Sequence, residues 1–218
     1  MAHPRIALIH ATPVAMDPIR DAFAALWPVA ETVNLLDDSL ATDRAQAETL
    51  TPALSERIVD LARYARKLGA DGVLYTCSAF GPAIEAAADL GLPVLKPNEA
   101  MFEAAIAAGR RCAMIATFGP AVTGMEAEFA EQAARRDPDC RLTSYLVEPA
   151  MAALGARDTE THNRLVAEEA VALSGHDVIL LAHFSTARAA EAVRARVPLP
   201  VLTSPEAAVE KMRRLVGG

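Results

Sequence analysis

The chain has only three cysteines, Cys77, Cys112 and Cys140, and they lack the close pairing of a zinc site or a redox motif. Three widely spaced cysteines argue against a disulfide framework and favour a reducing compartment. Long apolar runs are also missing, since the first apolar stretch, residues 5–9, is far too short to span a bilayer. We therefore expect a cytoplasmic protein with no membrane partner.

Other absences narrow the possible functions. No Lys/Arg cluster overrides the formal net charge of −7, so a nucleic acid is not an expected partner. No glycine-rich phosphate loop follows an apolar run, which argues against nucleotide cofactors. His3, His162 and His176 have no convergent carboxylate spacing, so no metal site is predicted. A small-molecule substrate is the expected partner.

With 218 residues, 52% of them hydrophobic, the chain can bury a substantial core. Short apolar runs rich in β-branched residues predict six strands: 5–9, 30–35, 72–75, 112–115, 142–147 and 178–181. Segments of helical periodicity lie between and after them: 17–26, 52–68, 82–89, 98–108, 120–136, 158–174, 187–196 and 205–216. Gly69, Gly109 and Gly175 follow three of these segments and are predicted to be left-handed caps. Such alternation predicts parallel sheet covered by helices on both faces, the doubly wound α/β class.

An internal repeat is the most informative feature of the sequence. Residues 69–100 and 175–207 share a glycine start and a Pro-Val-Leu end, and Cys77 corresponds to His183, 106 residues later. The strand at 5–9 precedes the strand at 111–115 by the same 106 residues. Two βα units of an Ala-rich protein can resemble each other by chance, but a fixed offset across separated strands favours duplication.

The repeat predicts two α/β halves, residues 1–100 and 101–204, with the last helix, 205–218, packing back on the first half. Ligands of parallel sheets bind beyond the carboxyl ends of the strands. If the halves face each other, Cys77 and His183 approach a common cleft as two acid/base groups, as proton transfer at a carbon atom requires. No metal or organic cofactor is needed for this chemistry.

Hydroxyl residues at the predicted strand ends are candidates for binding a substrate carboxylate: Thr12, Ser78, Thr117, Ser185 and Thr186. Structural explanations compete with these assignments. Cys77 could be a small core residue and His183 a satisfied buried histidine, while Ser78 and Ser185 could cap helices. Cys112 and Cys140 are assigned to structure or surface.

The segment GADGVLYTCSAFGPAIEAAADLGLPVLKPNEA resembles the first catalytic-cysteine region of the aspartate/glutamate/hydantoin racemase superfamily, and DVILLAHFS…PLPVLTSPEAAVEKM resembles the second. The resemblance implies two pseudo-symmetric flavodoxin-like domains and a cofactor-independent site in the cleft between them. It places Cys77 at the first family cysteine, with Ser78 beside it for the substrate carboxylate. The sequence departs from the family at His183, where the second cysteine is expected.

We therefore predict a cofactor-independent isomerase that racemises a small carboxylate, amino acid or hydantoin-like substrate, with Cys77 and His183 as catalytic residues. Two alternatives remain open. A single-cysteine enzyme would decarboxylate a dicarboxylate or isomerise its cis and trans forms; relatives in the superfamily that the sequence resembles include arylmalonate decarboxylase and maleate cis-trans isomerase. A ligand-binding module would retain the fold without catalysis. The acidic composition and the fold favour a homo-oligomer.

Overall fold

The computed structural model describes residues 3–217, which form two parallel sheets of four strands each. The first sheet contains β1 (Arg5–His10), β2 (Glu31–Leu36), β3 (Gly72–Tyr75) and β4 (Val94–Leu95). The second contains β5 (Arg111–Ala116), β6 (Arg141–Leu146), β7 (Val178–Leu181) and β8 (Val201–Thr203). All neighbouring strands in both sheets are parallel.

Helices connect the strands, as the crossover connections of a parallel sheet require. Five of them precede the second sheet: α1 (Met16–Leu26), α2 (Ser39–Gln46), α3 (Pro52–Lys67), α4 (Gly81–Ala87) and α5 (Glu99–Ala108). The remaining helices are α6 (Val122–Arg136), α7 (Glu148–Gly155), α8 (Thr159–Val171), α9 (His183–Thr186), α10 (Ala190–Arg194) and α11 (Ser204–Val216).

The two sheets have the same topology. Their strand orders are β2-β1-β3-β4 and β6-β5-β7-β8, so each strand of the first sheet has a counterpart in the second. This order is that of the first four strands of the flavodoxin fold. The predicted α/β class with two flavodoxin-like halves is therefore confirmed.

The chain divides into two compact units. One unit comprises the described residues up to Pro97 together with those from Ala208 onward, and the other comprises Asn98–Ala207. The later part of α11 thus belongs to the unit of the first sheet, where Met212 lies against Gly72 of β3. A side chain at Gly72 would collide with the Met212 sulfur.

The central strands of each sheet are buried. All four residues of β3 and all four of β7 are buried, because helices cover both faces of each sheet. In the first unit, Val73 and Tyr75 pack against α3 and α4. In the second, Leu180 packs on the side of α5 and α6, and Ile179 on the side of α8 and α10.

Two strands and three helices were not predicted. The strands β4 and β8 have two and three residues, which is too short for an apolar run to stand out. The helices α2, α7 and α9 have eight, eight and four residues. Such short elements are held by packing in the folded protein, since isolated helices of this length are unstable.

The predicted left-handed caps are confirmed at Gly69 only. Gly69 has φ 79°, whereas Gly109 is extended with φ 171°, and Gly175 also lies outside the left-handed region. The predictions for Gly109 and Gly175 were wrong. Gly109 is required for another reason, because a side chain there would collide with Asp177. Its lack of a Cβ lets the Asp177 carboxylate reach the backbone at the start of β5.

Candidate active site

The sequence-predicted site residues follow the carboxyl ends of strands in both units. Thr12 follows β1, and Cys77 and Ser78 follow β3. In the second unit Thr117 follows β5, while His183, Ser185 and Thr186 form most of α9 after β7. Parallel strands place these ends at one edge of each sheet, where ligands of open α/β folds bind.

Cys77 has an extended backbone and lies between the end of β3 and a single turn of 3-10 helix that begins at Ser78. Its backbone has φ −125° and ψ 124°, and its side chain is half-buried against the core of the first unit. Burial raises the pKa of the Cys77 thiol, and the Ala79 amide, which donates to the sulfur, opposes this shift. At neutral pH the group is therefore a thiol that can donate a proton.

His183 has an unusual backbone and an unsatisfied ring. It is one of two non-glycine residues among 3–217 with a left-handed backbone, at φ 68°. Both ring nitrogens, Nδ1 and Nε2, are buried without a hydrogen-bond partner in the described chain. Burial lowers the pKa of His183 to about 4, and the nearby Ala182 backbone, which makes no hydrogen bond of good geometry to the ring, opposes this shift only in part. The ring is therefore neutral at pH 7 and can accept a proton.

An exposed aromatic side chain lies beside His183. The ring of Phe118 meets the imidazole edge-on, with 6.4 Å between centroids, and Phe118 is 47% exposed. Phe118 follows β5 directly after Thr117. The His183 ring is thus bordered by an apolar group that is open to solvent, which the sequence analysis did not predict.

The five candidate hydroxyl residues differ in their surroundings. Thr117 and Thr186 are fully buried, and their Oγ1 atoms lie 3.2 Å apart, so the two side chains hydrogen-bond to each other. Ser185 is buried, whereas Thr12 and Ser78 are half-buried. Carboxylate binding by these residues stays a prediction, with Thr12 and Ser78 the more accessible of the set.

The suggested capping roles of the serines are wrong. Ser78 makes no capping hydrogen bond, and the residue that precedes α4 is Phe80. Ser185 lies inside the short helix α9. Helices are capped instead by the side chains of Thr51 at α3, Asp158 at α8 and Thr203 at α11.

A buried polar chain in the first unit was not assigned from the sequence. His10, at the end of β1, has no solvent exposure, and its Nδ1 lies 2.9 Å from Thr76 Oγ1. Its Nε2 donates to Asn34 Oδ1 of β2, also at 2.9 Å. Burial lowers the pKa of His10, a shift that the bond to Asn34 opposes. A histidine ending an otherwise apolar strand was the available signal, but its partners depend on strand register.

Cys112 and Cys140 lie within the core of the second unit. Their sulfur atoms are 3.6 Å apart, and both thiols contact the Gly109 carbonyl. Burial is the main cause that raises the pKa of each thiol. The structural assignment of these cysteines agrees with their position, although Cys140 is buried rather than at the surface.

Residues 3–217 contain neither a metal-binding cluster nor a membrane-spanning helix. In that range no three His, Cys, Asp or Glu side chains form a group that could hold a metal ion. None of the helices formed by these residues combines the length and apolar character that a bilayer span needs.

The fold matches that of several solved structures. Allantoin racemase from Klebsiella pneumoniae is 18% identical, with a TM-score of 0.70 over 98% of this chain and 88% of the other. Picrophilus torridus aspartate racemase is 13% identical, with a TM-score of 0.75 over 98% and 94%. Unliganded arylmalonate decarboxylase is 25% identical, with a TM-score of 0.67 over 99% and 94%.

A comparison with curated protein sequences finds no significant match. The family model described as Asp/Glu/hydantoin racemase, however, matches residues 9–212, a range that includes both Cys77 and His183. This chain therefore belongs to the Asp/Glu/hydantoin racemase family.

Proposed function

We propose that this protein is a cofactor-independent racemase or isomerase that moves a proton at the carbon atom next to a carboxylate of a small substrate. Cys77 and His183 are the two acid/base groups, and Thr12 and Ser78 hold the carboxylate. Membership of a racemase family supports an isomerase-type activity. The substrate and the roles of these residues are the part that we propose.

The observation that carries the proposal is the state of His183. Its left-handed backbone and its two buried nitrogens without partners both cost stability. Such features persist in proteins chiefly where function requires them. His183 also occupies the position that the internal repeat pairs with Cys77.

The ionisation states of the two groups suit proton transfer. Burial keeps the Cys77 thiol protonated and the His183 ring neutral at pH 7, so one group can donate and the other can accept. In one direction, His183 removes the proton of the carbon acid and Cys77 delivers its own proton to the opposite face. The resulting thiolate and imidazolium then carry out the reverse conversion.

The experiment is a screen for solvent deuterium at the α-carbon. The protein is incubated in D₂O with single enantiomers of amino acids, hydantoins and allantoin, and exchange is followed by ¹H NMR. We expect exchange with at least one compound, and we expect Cys77→Ala to lose conversion of one enantiomer into the other by at least about 100-fold. Cys140→Ala is the matched control, because it removes a thiol outside the proposed site. Racemisation that survives in Cys77→Ala would contradict the proposal.

A second candidate function is decarboxylation by Cys77 alone. It is supported by the single thiol at the two family cysteine positions, by the likeness to arylmalonate decarboxylase at 25% identity, and by exposed Phe118 beside His183. Here a carbon–carbon bond breaks, carbon dioxide leaves, and the thiol protonates the carbanion. Carbon dioxide release from phenylmalonate that is retained in His183→Asn and absent in Cys77→Ala would favour this function over racemisation.

A further inference from the structure

The buried chain Asn34–His10–Thr76 has a defined hydrogen-bond direction. A side-chain amide oxygen can only accept, so His10 Nε2 carries a proton and donates it to Asn34 Oδ1. A neutral imidazole has one such proton, and burial of His10 favours the neutral ring. His10 Nδ1 is therefore an acceptor, and the hydroxyl that donates to it is that of Thr76, 2.9 Å away.

This arrangement fixes Thr76 by two contacts. Its backbone N–H donates to the Ile9 carbonyl at 3.0 Å, which continues the pairing of β1 and β3 by one residue. Its hydroxyl is 3.3 Å from the same carbonyl but is committed to His10 at the shorter distance. Thr76 is 6% exposed and immediately precedes Cys77. The end of β3 that carries Cys77 is therefore tied to β1 through both main chain and side chain.

The second unit lacks this chain at the equivalent positions. Ala116 and Ala182 stand 106 residues after His10 and Thr76. Ser144 pairs with Met114 as Asn34 pairs with Leu8, and its buried Oγ has no hydrogen-bond partner among residues 3–217. The shared backbone topology therefore does not require the polar chain. It is confined to the unit that contains Cys77.

We propose that His10 and Asn34 are positioning residues that act on Cys77 through the hydroxyl of Thr76. His10 orients that hydroxyl, Asn34 fixes the proton of His10 on Nε2, and the strand end holds the thiol in the conformation used for proton transfer. The relevance to catalysis rests on the proposed function. The effect on the Cys77 thiol itself does not, and it can be measured separately.

The test compares Thr76→Val, which is close in shape but has no hydroxyl, with Thr76→Ser, which keeps it. Alkylation of Cys77 by iodoacetamide is followed from pH 7 to 10 by peptide mass spectrometry on the folded protein. We expect the Cys77 rate in Thr76→Val to change by at least about threefold, with Thr76→Ser close to wild type. Asn34→Ala, which leaves Thr76 intact, should change the rate in the same direction. Ser144→Ala in the second unit is the matched control and should have no effect.

Equal Cys77 rates in wild type, Thr76→Val and Asn34→Ala would overturn the proposal, as would an equal change in Ser144→Ala. With an exchanging substrate, Thr76→Val should lower kcat by about tenfold with little change in KM. A changed alkylation rate without exchange in the wild type would leave the positioning role standing and remove the proposed function. If wild type exchanges the α-proton and Thr76→Val changes neither exchange nor alkylation, the proposed function would stand and the positioning role would be removed.

Discussion

The Asp177 carboxylate accepts a hydrogen bond from the backbone N–H of Arg111 at 2.9 Å. Asp71 accepts a hydrogen bond from the Arg5 N–H at 2.8 Å in the same way, and Asp177 and Arg111 each lie 106 positions after Asp71 and Arg5. In both units an aspartate that precedes the third strand therefore holds the start of the first. The repeat seen in the sequence thus extends to an individual hydrogen bond.

Asp177→Asn should destabilise the protein more than Asp71→Asn. Asp177 also pairs with the Arg111 guanidinium, and these contacts lower its pKa to about 2 from an ordinary 3.8. The folded state thus binds fewer protons than the unfolded state between these values, so the stabilisation is complete above about pH 4 and is lost as the pH falls through 2. Urea denaturation at pH 7, 4 and 2.5 measures this.

The difference between Asp177→Asn and wild type should shrink toward pH 2. A difference that is constant over this range would show that the charge of Asp177 does not contribute to stability.

The buried hydroxyl pair provides a second prediction. Thr117→Val removes one partner and leaves the Thr186 hydroxyl unsatisfied, which should lower the free energy of unfolding by about 1–3 kcal/mol. The double variant Thr117→Val/Thr186→Val should be less destabilised than the two single variants combined, because neither hydroxyl is then left alone. Additive single effects in a denaturation cycle would contradict the hydrogen bond.

His183→Asn should separate stability from function. Asparagine tolerates the left-handed backbone and removes the imidazole, so the variant should be more stable than wild type by about 1 kcal/mol. Arg157→Asn is the matched control, since Arg157 has φ 63° and lies outside the proposed site. Both variants should gain stability in urea, but only His183→Asn should lose racemisation. A clear loss of stability in His183→Asn would indicate a structural histidine.

The three thiols should differ in reactivity in the folded protein. Cys77 is half-buried, whereas Cys112 and Cys140 are buried, so iodoacetamide should modify Cys77 first. Because burial raises the pKa of the Cys77 thiol from 9, its alkylation rate should still be rising above pH 9. If Cys77 instead shows the thiol pKa and the alkylation rates of an unperturbed cysteine, the result would favour a non-catalytic binding module.

Much of the fold could be predicted from the sequence because it depends on local patterns. Apolar runs of strand length and helical segments alternate, and the offset between Cys77 and His183 indicates the duplication that the two sheet orders display. The elements that escaped prediction, such as β4 and α9, are too short to carry a period. Their conformation is set by the strands and helices around them.

The surroundings of the candidate site were less predictable, because they depend on register and packing. Strand pairing brings His10 to Asn34 and Thr76, which are 24 and 66 residues away in the chain. Burial of Thr117 and Thr186 makes them partners of each other, which their residue type alone does not indicate. The left-handed backbone of His183 has no signal in the sequence, since only a small fraction of non-glycine residues adopt it, although histidine does so more often than most.

The central claim, that Cys77 and His183 serve opposite faces of one carbon atom, is tested most directly by following each enantiomer separately. Both enantiomers of an exchanging substrate are incubated in D₂O with wild type, Cys77→Ala and His183→Asn. The account predicts that each variant loses racemisation by at least about 100-fold but still exchanges the α-proton of one enantiomer, and that the two variants select opposite enantiomers. Variants that exchange both enantiomers alike, or that still racemise, would contradict it.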